Sequence, residues 1–140
     1  QAELEFQSEI RLVFRHFYEA NKDKKSAFVA KFIETAGLQN KFWETYDELF
    51  KNREKLKEVE NITPVLTLIA RSADLDIEKI NENIGNQEIV EKISRDLASA
   101  SSTLVSSAPA VFIKDVRMNS LKNYEDLKTA IEKALLEKVE

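Results

Sequence analysis

No cysteine occurs among the 140 residues, and histidine occurs once. The chain by itself therefore forms no disulfide, offers no catalytic thiolate, and holds neither a thiolate nor a histidine-rich metal site. Glycine and proline occur twice each, so few positions interrupt a helix. A basic surplus is also missing. Lys and Arg number 21 against 25 Asp and Glu, a formal net charge of −4. This argues against nucleic acid as a partner, because displacing phosphate counterions needs uncompensated positive charge. The cluster Lys22, Lys24 and Lys25 is small and reads as a solvated loop. No apolar run approaches the roughly 18 residues of a membrane span. Gln1–Glu9 has three glutamates and no basic residue, unlike the start of a signal peptide.

What is present is the composition of an ordinary folded protein, 43% hydrophobic and 33% charged. A chain of this length suits one domain that buries roughly 70% of its unfolded surface. Glu9–Phe17 alternates, with Ile10, Leu12 and Phe14 against Arg11, Val13 and Arg15, which predicts a strand with one buried face and an arginine-protected edge. From Ser26 the period becomes helical. Ser26 is the expected N-cap, Phe28, Val29, Phe32, Ile33 and Ala36 form the apolar stripe, and Gly37 is the expected C′ residue. A second helix from about Gln39 carries Phe42, Trp43, Tyr46, Leu49 and Phe50, and so many aromatics predict hard packing onto a core.

Thr63-Pro64 marks the next helix start, Thr63 as N-cap, with Val65, Leu68 and Ile69 on one face through about Ala73. Asp76 caps a short helix carrying Ile77, Ile80 and Ile84 and ending at Gly85; Asn86 caps another carrying Ile89, Val90, Ile93 and Leu97. Residues 26 to about 103 thus hold four or five helices. A serine- and alanine-rich stretch follows, and Pro109 breaks any helix there. Ala110–Ile113 is strand-like, Lys114-Asp115 is a turn, and Val116–Met118 returns as a hairpin partner. Asn123 caps a final helix expected to reach Lys138.

Four segments, in order, carry a resemblance. They are Ile10–Phe17 (IRLVFRHF), Ala36–Asn52 (AGLQNKFWETYDELFKN), Ser107–Ile113 (SAPAVFI) and Tyr124–Leu135 (YEDLKTAIEKAL). Together they resemble the DsbA-like branch of the thioredoxin superfamily, thiol-disulfide oxidoreductases with a helical domain inserted into a thioredoxin fold. The resemblance implies an α/β fold, partial, thioredoxin-like and predominantly helical, with a large helical insertion between strands. Residues 1–18 and 105–140 would form the incomplete thioredoxin-like core, and residues 19–104 the insertion. It also implies that Pro109 is the cis-proline of the family, since X-Pro bonds are the peptide bonds that become cis cheaply. Ala108 and Pro109 would then be the substrate-binding residues, with the Ala108 backbone pairing with an extended peptide.

The departures from the family are as informative. Leu104, Ser106, Ser107, Asn119 and Ser120 stand where the family usually has glycines, so any positive φ must be adopted by less willing residues. The first strand and the Cys-X-X-Cys helix are not in these 140 residues; Gln1–Ser8 corresponds to the end of that helix. The missing strand would lie between Ile10–Phe17 and Ala110–Ile113, at the centre of the sheet. Three arrangements answer this: a longer chain supplies the strand, another chain or copy supplies it, or the two segments pair directly.

Other chemistry finds little support. Glu44, Asp47, Glu48, Glu54, Glu58 and Glu60 lack the Glu-x-x-His spacing of a di-iron site and read as solvated faces. His16 reads as an ordinary hydrogen-bonded histidine, and serines 99, 101, 102, 106 and 107 lack nucleophile-elbow spacing. No catalytic residue, metal or cofactor is assigned. The resemblance implies an exported, for example periplasmic, protein disulfide oxidoreductase acting on protein or peptide substrates. The alternatives are a non-catalytic thioredoxin-like peptide-binding or scaffold protein, and an all-α interaction module.

Overall fold

Helix-forming sequence makes up most of the chain, and a computed structural model describes residues 1–137 of it. The elements are α1 (Ala2–Phe6), a turn of 3-10 helix (Gln7–Glu9), α2 (Lys24–Gly37), α3 (Phe42–Lys51), α4 (Arg53–Glu58), α5 (Thr63–Ser72), α6 (Ile77–Asn83), α7 (Gln87–Ser102), β1 (Val111–Ile113), β2 (Val116–Met118) and α8 (Tyr124–Leu136). This is the predominantly helical, partial thioredoxin-like architecture expected. Two compact units divide the chain: Gln1–Arg15 with the residues from Ala100 onward, and His16–Ser99.

Local capping chemistry sets the helix starts. Asp76 Oδ1 accepts from the backbone N–H groups of Glu78 at 3.0 Å and Lys79 at 3.2 Å. Asn86 and Asn123 do the same for Glu88 at 2.8 Å and Asp126 at 3.0 Å. Such caps satisfy N–H groups that have no partner within the helix. Ser26 is not the cap of α2. Asp23 is, because its carboxylate lies one turn earlier and accepts from the Ser26 N–H at 2.9 Å. Thr63 is likewise the first residue of α5 rather than its cap, and Asn61 Oδ1 receives its N–H at 3.0 Å.

The helix expected from Gln39 begins only at Phe42. Gln39 is occupied elsewhere: its side-chain oxygen accepts from Asp76 N–H at 2.9 Å and its amide donates to Asp76 C=O at 3.1 Å. Gly37 is not a left-handed C′ residue either. It ends α2 with an ordinary φ, and Asn40 further on takes the left-handed conformation at φ 58°, which asparagine tolerates. The sequence pattern also missed the short α4, and six helices rather than four or five fill residues 24–102. The final helix is described to Leu136; Lys138 lies outside the described residues.

In the His16–Ser99 unit the core joins Phe32, Ile33 and Ala36 of α2 to Leu49 of α3 and to Val65, Leu66, Ile69 and Ala70 of α5. Ala30, Ile89 and Ile93 form a smaller cluster with Tyr18 and Leu97. Thr45 of α3 is fully buried, and its hydroxyl finds no hydrogen-bond partner among the described residues. Replacing it with valine keeps the β-branched shape and helix propensity while removing a desolvated polar group. Thr45→Val is expected to raise stability by about 1 kcal/mol, read as a higher urea midpoint at unchanged slope. An equal or lower midpoint would show the hydroxyl satisfied in solution.

In the other unit β1 and β2 pair antiparallel, Val111 with Met118, Phe112 with Arg117 and Ile113 with Val116. This is the only sheet among the described residues. The strand expected at Ile10–Phe17 does not form: residues 10–19 belong to no ladder, and β1 does not pair with them directly. The alternating pattern survives only in part. Ile10, Phe14, His16 and Tyr18 point inward, whereas Leu12 and Val13 are more than half exposed. Alternation prepares a segment for a sheet, but a strand needs a ladder partner.

Candidate functional site

The site implied by the resemblance begins where α7 ends. Val105 N–H reaches Ala100 C=O at 2.9 Å and Leu104 N–H reaches Ser101 C=O at 3.2 Å, the paired bonds of a Schellman helix terminus. Leu104 occupies the left-handed position of that motif at φ 56°. Its own carbonyl accepts from Arg117 Nη1 of β2 at 3.2 Å. The chain then runs through Ser106, Ser107, Ala108 and Pro109, all exposed and outside helix or strand. The Ala108–Pro109 peptide bond is cis. Among the described residues, no backbone hydrogen bond engages Ser106, Ser107 or Ala108. Ala110 alone separates this loop from β1.

Beyond the loop, the two-residue Lys114-Asp115 turn closes the hairpin, with Lys114 at φ 54°. Lys114 Nζ donates to Ala134 C=O at 2.8 Å, tying the turn to α8. The N-terminal helix is tied to α8 as well: Glu5 accepts from the Tyr124 hydroxyl at 2.5 Å and pairs with Lys128. Hydrogen bonds from Lys128 and Tyr124 hold the Glu5 carboxyl below the usual range, and the bond to Glu5 pushes the Tyr124 hydroxyl up to about 12.

The His16–Ser99 unit contains a charged cluster that sequence reasoning missed. His16, Glu34 and Asp96 are all buried. Glu34 Oε1 lies 2.8 Å from His16 Nε2 and accepts from Lys92 Nζ at 2.6 Å. Asp96 Oδ2 accepts from the His16 backbone N–H at 3.1 Å and from Lys92 at 3.4 Å. Burial pushes the Glu34 carboxyl up, but the hydrogen bonds from His16 and Lys92, with the Lys92 charge, more than offset it and leave the group below its ordinary value. A signal was there to read, since Glu34 interrupts the apolar run Phe32-Ile33-Glu34-Thr35-Ala36.

The α3 aromatics divide. Phe42 and Tyr46 pack against the core with Leu49, while Trp43 is 37% and Phe50 58% exposed. Positions 42, 46 and 49 share the inner stripe of the helix; 43 and 50 share the neighbouring outer one. Trp43 stands edge-on to Tyr46 at 5.7 Å, and the Arg53 guanidinium covers the Phe50 ring at 4.6 Å. Glu44 and Asp47 are exposed on the same helix, and Glu48 pairs with Lys51 at 2.6 Å. No group of three metal-ligating side chains occurs among the described residues, and none of their helices is long and apolar enough to cross a membrane.

Comparison with known proteins adds to this geometry. The family model described as Thioredoxin matches residues 6–133. The chain is 30% identical over 129 residues to a probable disulfide bond formation protein D of Bacillus cereus, covering 90% of this chain and 58% of that protein. It is 28% identical over 125 residues to an Na(+)/H(+) antiporter NhaA 1 of Salinispora arenicola, covering 89% of this chain and 18% of that protein. A protein of the same name from Mycolicibacterium vanbaalenii is 25% identical over 114 residues, covering 80% and 18%. The chain thus spans little more than half of the first relative and about a fifth of the other two. No solved structure matches it.

Proposed function

Because the chain belongs to the thioredoxin family, in its DsbA-like branch of thiol-disulfide oxidoreductases, we propose that it is the peptide-holding part of a protein disulfide oxidoreductase. Ala108 and Pro109 are its substrate-binding residues. The observation that carries this reading is the exposed Ser106–Pro109 backbone leading into β1. An extended substrate segment pairs with Ala108 by β-strand addition, which needs a main-chain donor and acceptor rather than particular side chains. Residues 1–18 and 105–140 act as the thioredoxin-like core and 19–104 as the inserted helical domain.

The redox step lies outside these residues. Disulfide exchange proceeds by attack of a thiolate on a disulfide sulfur, and this chain has no cysteine. The thiolate comes from a further segment of the gene product or from a second chain. Either source also supplies the sheet partner of β1, whose Val-Phe-Ile sequence lacks the charges and prolines that blunt an edge strand. An exported location suits this work, because disulfides persist in oxidising compartments. The absence of cysteine supports a second reading, a non-catalytic peptide-binding protein. A Cys-X-X-Cys encoded within roughly 30 residues upstream of Gln1, the span of a strand, a loop and a helix start, favours the first reading; its absence favours the second.

The test of the site is an NMR titration of the 140-residue chain with an extended peptide. Amide shifts are expected at Ser106–Ile113, and Ala108→Pro, which removes the backbone donor, is expected to abolish them. Unaltered binding by that variant would reject the site. The same chain is expected to show no turnover in an insulin-reduction assay, for want of a thiolate. Measurable turnover would overturn the requirement for cysteine.

A further inference from the structure

We propose that Leu104 is a specificity-determining residue of the peptide site, an apolar contact for a hydrophobic side chain of the extended segment held at Ala108. This deepens the reading of the Ser106–Pro109 loop as peptide-binding and rests on it. The backbone of Leu104 adopts a conformation that is unfavourable for its residue type. Leu104 has φ 56°, a region where a Cβ crowds the following carbonyl and which glycine or asparagine occupies more readily. Its side chain gains nothing from burial in exchange. At 82% exposure it is the most exposed of the large apolar residues described.

Leu104 is nevertheless held firmly. The two Schellman bonds fix its amide and that of Val105, and Arg117 Nη1 fixes its carbonyl from β2 at 3.2 Å. The cross-strand neighbour of Arg117 is Phe112, itself 38% exposed. A backbone anchored on both sides fixes the direction of the leucine Cα–Cβ bond. Strained residues kept in place by their surroundings cluster at binding sites. Ala108 is four positions after Leu104, so their Cα atoms lie within about 14 Å. That is the rise of about four residues of an extended peptide. The ligand class is therefore an unfolded protein segment with an aliphatic or aromatic side chain within about four residues of the position paired with Ala108.

The experiment pairs stability with binding. The 140-residue chain and its variants are titrated with two labelled peptides of about ten residues, one alternating threonine and leucine, the other with serine at each leucine. Leu104→Gly and Leu104→Asn relieve the backbone, so their thermal midpoints are expected to rise by about 2–4 °C. Their affinity for the leucine peptide is expected to fall about tenfold, the effect of losing a buried leucine contact. Affinity for the serine peptide stays unchanged, and Leu104→Met retains the preference for leucine. A purely structural role moves binding in the same direction as stability, so a Leu104→Gly chain that binds the leucine peptide like the parent would overturn the proposal. Ala108→Pro keeps the two readings apart. If it loses both peptides while Leu104→Gly loses neither, only the role of Leu104 falls. If it binds both like the parent, or the parent binds neither, the loop is not a peptide site and the role of Leu104 falls with it.

Discussion

Replacing Glu34 with alanine is expected to lower the unfolding free energy by about 1–3 kcal/mol, the usual consequence of removing a charged hydrogen-bond acceptor from a buried donor. The loss stays in that range because the Lys92 side chain is 40% exposed and reaches water. Glu34 is 9% exposed and is the shared acceptor of His16 Nε2 and Lys92 Nζ. Without it, the histidine ring keeps its buried place but loses this carboxylate. Lys92 is left with Asp96 at the longer distance of 3.4 Å. Glu34→Gln keeps an acceptor oxygen and most of the shape, so its loss is expected to be smaller. Urea denaturation at pH 7 measures both, and a loss below about 1 kcal/mol for the alanine variant would place the cluster with weak surface pairs.

The same group gives the chain an acid-sensitive component. The folded Glu34 carboxyl lies below its ordinary value, whereas the unfolded one titrates near the free glutamate value of about 4.3. The unfolded state therefore binds its proton first as the pH falls. The contribution is complete above the unfolded pKa and is lost progressively as the pH descends through the folded one. Stability measured below about pH 5 is expected to decline less steeply in Glu34→Gln than in the parent. Parallel curves would show that another carboxylate dominates.

Features determined by neighbouring residues were the readable ones. Asp76, Asn86 and Asn123 cap helices where their side chains and the following apolar periods indicated, because a cap is decided within three residues. The Lys114-Asp115 hairpin is local in the same sense. Ile10–Phe17 failed as a strand because its alternation is a local property and its ladder is not. Beyond the interruption at Glu34, the cluster of His16, Glu34, Lys92 and Asp96 was hidden for the same reason. Lys92 and Asp96 are four apart on α7 and look like a solvent-facing pair until α2 and the segment before it arrive. At the proposed peptide site, Ala108, Pro109 and the missing glycines were named by the family resemblance and not by any local pattern. Only the backbone angles revealed that Leu104 and Lys114 adopt positive φ in their absence.

Ile69→Ala is expected to cost about 3–4 kcal/mol, and Leu68→Ala, one residue away on the same helix, less than about 1 kcal/mol. The two substitutions remove similar numbers of carbon atoms, and helix propensity favours alanine over both residues. Position on α5 accounts for the difference. Ile69 is 1% exposed and lies in the cluster joining α2, α3 and α5, whereas Leu68 is 52% exposed on the outer side. Truncating Ile69 forfeits the transfer energy of its side chain and leaves a cavity that its packed neighbours fill only partly. Leu68 keeps much of its surface in water when folded, so its truncation removes less burial and opens no enclosed space. Ile69→Val, expected to cost about 0.5–1.5 kcal/mol, calibrates the series. Urea midpoints for the three variants test it directly. Equal losses at positions 68 and 69 would mean that α5 is rotated about its axis, and the assignment of Val65, Leu66, Ile69 and Ala70 to the core would fall with it.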